Sequence, residues 1–176
     1  LDHLIRHDLD DTCRLVELAS SLSDADYRRP RLPGVRILSW HGTEESIAEV
    51  LENHVWTKEV WVAAIEGRDT PERDERATAG ALLARHQAVA PRWLAVVQDV
   101  GRRDAWSDTI IDALCDPPQS FVLGSIVTHV VTYAAGRRMV ARMLLRSAGV
   151  EVDDGDPIEW ARARDTRGGI DDGHMG

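Results

Sequence analysis

Three side chains that suit polar chemistry lie on helix faces that the sequence predicts to be buried. His54 is in the middle of an apolar stripe in the second predicted helix, and Tyr133 and Arg137 lie one turn apart in the last long one. Residues four apart share one face of a helix, so Tyr133 and Arg137 should face the same space. A guanidinium in an apolar stripe is costly unless it meets an acceptor. The sequence therefore predicts a polar site inside a helical protein.

Each of these residues has both a structural and a functional interpretation, and the sequence leaves the choice open. His54 is either a core histidine bonded to a neighbour or part of a site. Arg137 either binds an anion or a carboxylate-bearing ligand, or forms a buried ion pair. The acidic side chains that we consider as its partners are Asp8, Asp11 and Glu59. The candidate pocket residues are His7, His54, His129, Tyr133 and Arg137. No pattern identifies a catalytic residue.

Four long amphipathic segments must position these side chains. Their predicted spans are 1–22, 43–66, 77–100 and 120–149, with Thr43 and Ser120 as the caps of the second and fourth. Pro91 lies inside the third segment, where it should kink or split the helix. Together the segments predict an all-α four-helix bundle over residues 1–165, followed by a flexible tail over residues 166–176. Between the third and fourth helices we expect a loose hairpin or an extended crossover, because Pro117 and Pro118 force a turn.

Composition narrows the class of protein. The chain has 176 residues and a formal net charge of -9, which disfavours nucleic acid as a partner. No stretch reaches the roughly 18 apolar residues that span a bilayer, so no membrane partner is expected. Cys13 and Cys115 lie far apart and fit neither a metal motif nor a disulfide framework, which indicates a reducing, cytoplasmic location.

Three stretches of the chain carry a family likeness. They are LIRHDLDDTCRLVELASSLSDADY at 4–27, SIAEVLENHVWTKEVWVAAIEG at 46–67, and THVVTYAAGRRMVARMLLRSAGV at 128–150, which DPIEW follows at 156–160. In their order and spacing the chain resembles the DinB/YfiT-like superfamily. The resemblance implies a four-helix bundle of up-down-down-up topology, often dimeric. It also implies a divalent metal, zinc or nickel, and thiol-dependent relatives such as mycothiol-dependent isomerases and bacillithiol transferases.

The family's metal site is only partly matched here. Its helix-two histidine corresponds to His54, but its two helix-four ligand positions read Tyr133 and Arg137, followed by Arg138. A neutral tyrosine is a poor ligand for such a metal, and a guanidinium has no free lone pair and repels a cation. His129, one turn before Tyr133, would supply at most a second imidazole, whereas a catalytic metal of this kind usually takes three protein ligands. The resemblance therefore implies a degenerate metal site, and we expect no cofactor.

Three functions remain open on these grounds. The first is a homodimeric bundle protein with a pocket between helices two and four that binds a small molecule or an anion without the metal. The second is a metal-dependent, thiol-dependent transferase or isomerase. The third is a structural dimerisation module. For the homodimer, Trp56 is a candidate contact, because it lies off the His54 stripe and tryptophans are enriched at interfaces.

Overall fold

A computed structural model describes residues 1–74, 76–112 and 117–168, without the side chains of residues 40, 167 and 168. Cys115 and most of the predicted tail therefore lie outside the described residues. The four long helices are α1 (Asp2–Ala19), α3 (Ile47–Ile65), α4 (Ala79–Arg103) and α5 (Leu123–Ser147). The shorter elements are α2 (Asp24–Arg28), α6 (Pro157–Gly168), two 3-10 turns (Ser39–His41, Ala105–Ser107) and the strands β1 (Thr109–Asp112) and β2 (Gln119–Val122). The all-α bundle is confirmed, and its second and fourth helices are α3 and α5.

Local hydrogen bonds set the start of α3 later than predicted. Ser46 and Glu49 form a capping box, in which the Ser46 hydroxyl accepts from the Glu49 N–H at 3.2 Å and the Glu49 carboxylate accepts from the Ser46 N–H at 3.0 Å. The helix therefore begins at Ile47 and not near Thr43. As a consequence Glu44, expected in the first helical turn, lies in the preceding loop, where its side chain is turned into the protein.

Two other boundaries differ from the prediction. α5 begins at Leu123 because Ser120, the expected cap, belongs to β2 and pairs with Ile111. Pro91 lies inside α4 without splitting it, and the helix is assigned continuously through the proline. The predicted tail boundary at residue 165 falls within α6, which extends to Gly168.

The direction of α1 relative to α5 follows from their ion pairs. Asp8 on α1 accepts from Arg138 on α5, and Asp11, further along α1, accepts from Arg142, further along α5, at 3.0 Å. Both helices therefore run the same way.

The pair α3 and α4 is also parallel. Arg85 on α4 donates to Glu52 on α3 at 2.8 Å, and Arg92 donates to Glu66 one residue past the end of α3. Residue numbers therefore increase in the same direction along both helices.

These two pairs run in opposite directions. Thr57 on α3 contacts Arg137 on α5, while Trp61, further along α3, contacts His129, which is earlier on α5. Each helix of one pair packs on one helix of the other, α1 on α4 and α3 on α5, and the contacts α1·α5 and α3·α4 within the pairs complete the square. The topology is thus up-down-down-up, as the resemblance implied.

The bundle core is built from the inward faces of these helices. Ile5, Leu15, Leu51, Trp93 and Leu144 are among its fully buried side chains. Burial of such apolar surface is the main favourable term in folding. In the described part of the chain no helix is long and apolar enough to cross a membrane.

β1 and β2 form an antiparallel hairpin against one side of the bundle. Asp112 pairs with Gln119 and Ile110 pairs with Phe121, so these four side chains share one face of the ribbon. The Leu123 N–H donates to the Asp108 carbonyl at 2.9 Å and ties the hairpin to the start of α5. The prediction of a hairpin is right, but the two strands pair regularly and are not a loose crossover.

Candidate functional site

Arg137 lies in a buried ion pair with a residue that the sequence did not suggest. Its Nε donates to Glu44 Oε1 at 2.6 Å, and the two side chains are only 1% and 0% exposed. Its Nη2 donates to His41 Nδ1 at 2.8 Å, and its Nη1 donates to the Thr57 hydroxyl at 3.3 Å. The guanidinium therefore holds α5 against the loop that precedes α3.

The acidic residues predicted as partners of Arg137 bind other arginines. Asp8 and Asp11 on α1 pair with Arg138 and Arg142 on α5, with Arg138 Nε at 2.9 Å from Asp11 Oδ2. Adjacent helical residues point about 100° apart, so Arg138 faces α1 while Arg137 faces α3. Glu59 on α3, the third candidate acid, accepts a hydrogen bond from Arg85 at 3.0 Å.

His54 belongs to a second buried network, centred on a lysine. Lys58 Nζ lies 2.8 Å from His54 Nε2 and 3.1 Å from Asp8 Oδ2. The Thr12 hydroxyl lies 2.7 Å from the same His54 nitrogen. Burial and then the Lys58 charge hold the pKa of His54 well below its usual range, so the imidazole is neutral. Because an ammonium only donates, Lys58 assigns the role of acceptor to His54 Nε2.

Lys58 is a buried charged position in this network that the sequence reasoning passed over. It is fully buried, and burial lowers its pKa while Asp8 opposes that shift. The signal was available, because Lys58 lies one turn after His54 in the same apolar stripe. A lysine there needs an acceptor as much as Arg137 does.

A cleft of about 580 Å³ opens between α3 and α5 beneath the hairpin. Its walls carry aromatic rings, with Trp61 5.5 Å from Phe121 and 5.9 Å from His129 between ring centroids. The lining residues are His41, Trp56, Thr57, Val60, Trp61, Asp112, Gln119, Phe121, Ser125, Ile126 and His129. The cleft is thus mostly apolar, with a few polar groups at defined places.

The five predicted pocket residues divide among four locations. His129 lines the cleft, and Tyr133 packs against it with 4.8 Å between ring centroids. Arg137 lies behind the cleft wall and touches it through His41 and Thr57. His54 lies in the lysine network. The structure therefore brings His129 and Tyr133 together beside the cleft and gives Arg137 and His54 separate sets of partners.

The remaining predicted residue, His7, lies in a separate groove. Its Nε2 is 3.0 Å from the Gly155 carbonyl oxygen, and its ring is 5.4 Å from that of Trp160 on α6. Trp56, considered as a dimer contact, lies in the cleft wall, where its indole donates to the Pro71 carbonyl at 3.2 Å. The homodimer itself remains a prediction.

Both histidines in the cleft lining are neutral at pH 7. Burial, followed by the charge of Arg137, lowers the pKa of His41 to about 4, while Glu44 opposes the shift. Burial and then Arg137 lower the pKa of His129 as well. His41 Nδ1 must be an acceptor, because the Arg137 guanidinium offers only donors.

Comparison with known proteins assigns the chain to a family. The sequence pattern of the DinB superfamily matches residues 11–136. The chain belongs to the DinB superfamily. No match is found among the curated proteins or among the solved structures. The DinB pattern covers α3 and α4 and ends one residue before Arg137, so the assignment of Arg137 to the family's last ligand position rests on the spacing within helix four.

The residues present do not fit the metal that the DinB resemblance implies. Across the described residues, no group of three histidine, cysteine, aspartate or glutamate side chains is arranged to hold a metal ion. His54 Nε2 faces the Lys58 ammonium, and Arg137 brings a guanidinium to the helix-four position. One helix-four position is therefore a cation with no free lone pair, and the His54 nitrogen that would bind the metal faces a second cation.

Proposed function

We propose that this DinB-superfamily protein binds a small organic molecule in the cleft between α3 and α5, without the family metal. The observation that carries the proposal is the cleft itself, about 580 Å³ with walls formed largely by Trp56, Trp61 and Phe121. Volumes of roughly 300–1,000 Å³, apolar linings and a few placed polar groups are typical of small-molecule sites.

The positions of the aromatic rings support binding over core packing. Trp56, Trp61 and Phe121 are half-buried, whereas Trp93 in the bundle core is fully buried. Large aromatic side chains that remain partly exposed around a concave space provide apolar contact area for a ligand. Trp61 packs edge-on against Phe121, while Trp56 packs edge-on against His41 and donates to the Pro71 carbonyl, and these contacts hold the rings in place.

The charge balance behind the cleft argues against an anion as the ligand. Arg137, the cation nearest to the predicted anion site, already has Glu44 at 2.6 Å in a nearly solvent-free position. An anion would have to compete with a buried, hydrogen-bonded carboxylate for this guanidinium. Of the two ligand types that the sequence left open, a small organic molecule fits these contacts better.

The metal-free part of the proposal follows from Arg137 and Lys58. Elemental analysis of the purified protein should find zinc and nickel far below one equivalent, and calorimetric titration with zinc should show no stoichiometric binding. Replacing Tyr133 and Arg137 together by histidine should not create a site while Lys58 still faces His54. Adding Lys58→Met to that pair should create one, if the triple variant folds. One equivalent of zinc in the wild type would refute the metal-free proposal.

The binding part is tested by filling the cleft. Ser125 is exposed and lines the cleft, so Ser125→Trp should block it with little effect on folding. Met143→Trp is the matched control, since Met143 is 55% exposed on the same helix. The two positions are separated by about 27 Å along α5, from the rise of the helix.

The assay is a ligand-observed NMR screen of small aromatic and aliphatic compounds against the three proteins. Compounds that use the cleft should bind the wild type and Met143→Trp and should lose binding to Ser125→Trp. If every compound that binds the wild type binds Ser125→Trp equally well, the cleft is not the site and the proposal fails.

A further inference from the structure

We propose that the ammonium group of Lys58 takes the place of a metal ion in this bundle, as the cation that binds His54 and joins α3 to α1. The inference rests on the metal-free part of the proposed function and names the group that fills the site. It concerns the bundle interior and is independent of ligand binding in the cleft.

The choice of lysine at this position is unusual for this chain. Of the 21 lysine and arginine residues, Lys58 is the only lysine. Its side chain lies in the middle of α3 and is 0% exposed. An ammonium is a compact charge that donates in three directions, whereas a guanidinium is a planar fork. A single buried lysine in a chain that otherwise uses arginine therefore indicates that this position requires a compact cation.

The partners of Lys58 are side chains of the types that bind metals. Its Nζ lies 2.8 Å from His54 Nε2 and 3.1 Å from Asp8 Oδ2. His54 Nε2 and the other carboxylate oxygen, Asp8 Oδ1, are 3.8 Å apart. Zinc binds histidine nitrogens and carboxylate oxygens at about 2.0–2.2 Å, so two ligands of one ion lie within about 4 Å of each other. The ammonium therefore contacts two groups that are placed as the ligands of one ion would be.

These contacts join helices at opposite corners of the bundle. α1 packs on α4 and α5, and so does α3, so α1 and α3 face each other across the centre. Asp8 lies on α1, and Thr12, also on α1, is 2.7 Å from His54 Nε2 on α3. Helical bundles hold metal ions in this kind of place, through side chains that project inward from facing helices. Lys58 makes from within α3 the connection that a bound ion would make.

The charges around Lys58 disfavour a second cation. Arg138 on α5 also binds the Asp8 carboxylate, and both side chains are buried. A divalent ion on His54 Nε2 would lie directly beside the Lys58 ammonium, where little water screens the repulsion. The lysine therefore supplies a positive charge at this place and excludes a metal ion from it.

The wild-type protein tests the contact without any substitution. A sample prepared with isotope-labelled lysine has a single lysine Nζ signal in its NMR spectrum, because the chain has a single lysine. The Lys58 ammonium protons should exchange slowly with water and show nuclear Overhauser contacts to the His54 ring. Free labelled lysine in the same buffer is the control for fast exchange. Fast exchange in the protein, or no contact with the His54 ring, would overturn the inference.

Three substitutions at Lys58 separate charge, shape and ligand type. Lys58→Met keeps the length without the charge, Lys58→Arg keeps the charge on a planar group, and Lys58→His supplies an imidazole one turn after His54. Without metal, each variant should melt at least roughly 6 °C below the wild type, because hydrogen bonds of a charged group are lost. A Lys58→Arg variant as stable as the wild type would overturn the requirement for a compact cation.

Zinc tests whether the ammonium lies at a place that suits a metal. Lys58→His puts two imidazoles one turn apart on α3, facing Asp8, which provides three protein ligands. This variant should bind about one equivalent of zinc in calorimetric titration, and zinc should raise its melting temperature toward the wild-type value. Lys58→Met is the matched control, because it removes the same charge without adding a ligand, and it should not bind zinc. Lys58→His combined with His54→Gln should not bind zinc either.

The outcomes separate this inference from the proposed function. A folded Lys58→His variant that does not bind zinc, or zinc binding that survives His54→Gln, would overturn the placement of a cation site at Lys58. One equivalent of zinc in the wild type would overturn both this inference and the metal-free part of the proposed function. Failure of every compound to bind the cleft would refute only the binding part. If the histidine variants do not fold, the NMR contacts of the wild type decide.

Discussion

Replacing Arg137 with methionine should be one of the most destabilising single changes in this protein. Methionine keeps an apolar stem of similar length but removes the guanidinium, which leaves Glu44 buried without its cation. The Glu44 side chain is 0% exposed, so water cannot compensate the lost partner. Removing one member of a buried pair costs about 3–5 kcal/mol of unfolding free energy. The hydrogen bonds to His41 and Thr57 are lost in the same change.

A double-mutant cycle isolates the pair. Glu44→Gln alone leaves the Arg137 guanidinium without its carboxylate, and the double change Glu44→Gln with Arg137→Met removes both charges. The double variant should be more stable than Arg137→Met, because a neutral pair in this position avoids the uncompensated charge. Arg14→Met is the control: Arg14 pairs with Asp153 at 2.6 Å, but both side chains are about half exposed. Loss of such a surface pair costs about 0–1 kcal/mol.

Urea unfolding followed by tryptophan fluorescence and by circular dichroism measures these differences, provided that the two probes give coincident transitions. A loss of less than about 1 kcal/mol for Arg137→Met would refute the reasoning. It would mean that Glu44 is not buried against Arg137 and that this guanidinium is not fixed at the helix-four ligand position.

Three further predictions concern protonation, backbone and assembly. Burial lowers the pKa of His86 to about 4 from 6.5, so between these pH values the unfolded chain binds a proton that the folded chain does not, and the unfolding free energy falls as pH drops from 7 to 4. In urea titrations at several pH values, His86→Gln should remove about 3 kcal/mol of that fall. His3→Gln, at an exposed histidine, should not. Gly136→Ala should raise the unfolding free energy by about 1 kcal/mol, since a Cβ there meets nothing within 4 Å. Gly124→Ala should lower it, because the new Cβ would lie 2.9 Å from the Trp106 carbonyl oxygen. The melting temperatures of the two variants test both predictions. Light scattering at micromolar concentration should give the mass of a homodimer, and a monomer would contradict this.

The fold could be predicted from helical periodicity, but the buried partners could not. Periodicity shows that Arg137 lies on an inward face, and the alternative of a buried ion pair was correctly kept. It does not show which helix that face meets, because one residue of rotation separates contact with α1 from contact with α3. Arg138, the next residue, faces α1 and pairs there with Asp8 and Asp11, two of the acids predicted as partners of Arg137. Glu44 was overlooked because Thr43 and Ser46 are both good caps, and only the capping box with Glu49 decides that Glu44 stays in a loop.

The cleft was harder to predict than the helices around it. Its hairpin wall depends on the pairing of β1 with β2, and two strands of four residues each carry too little periodicity to fix a register. Asp112 and Phe121 therefore did not stand out. Trp61 lies on the apolar stripe that contains His54, but no pattern distinguishes a ring that fills a core from one that borders an open space.

The four long helices and the hairpin make different contributions, the helices to the core and the hairpin to the lining of the cleft. Most of the buried apolar side chains come from the four long helices, whereas Asp112 and Gln119 reach the cleft from a ribbon laid against them. Substitutions at these two positions should therefore alter the lining of the proposed site while the bundle keeps its stability. If a ligand binds there, a lineage exchanges it through a few codons while the helices still record common descent.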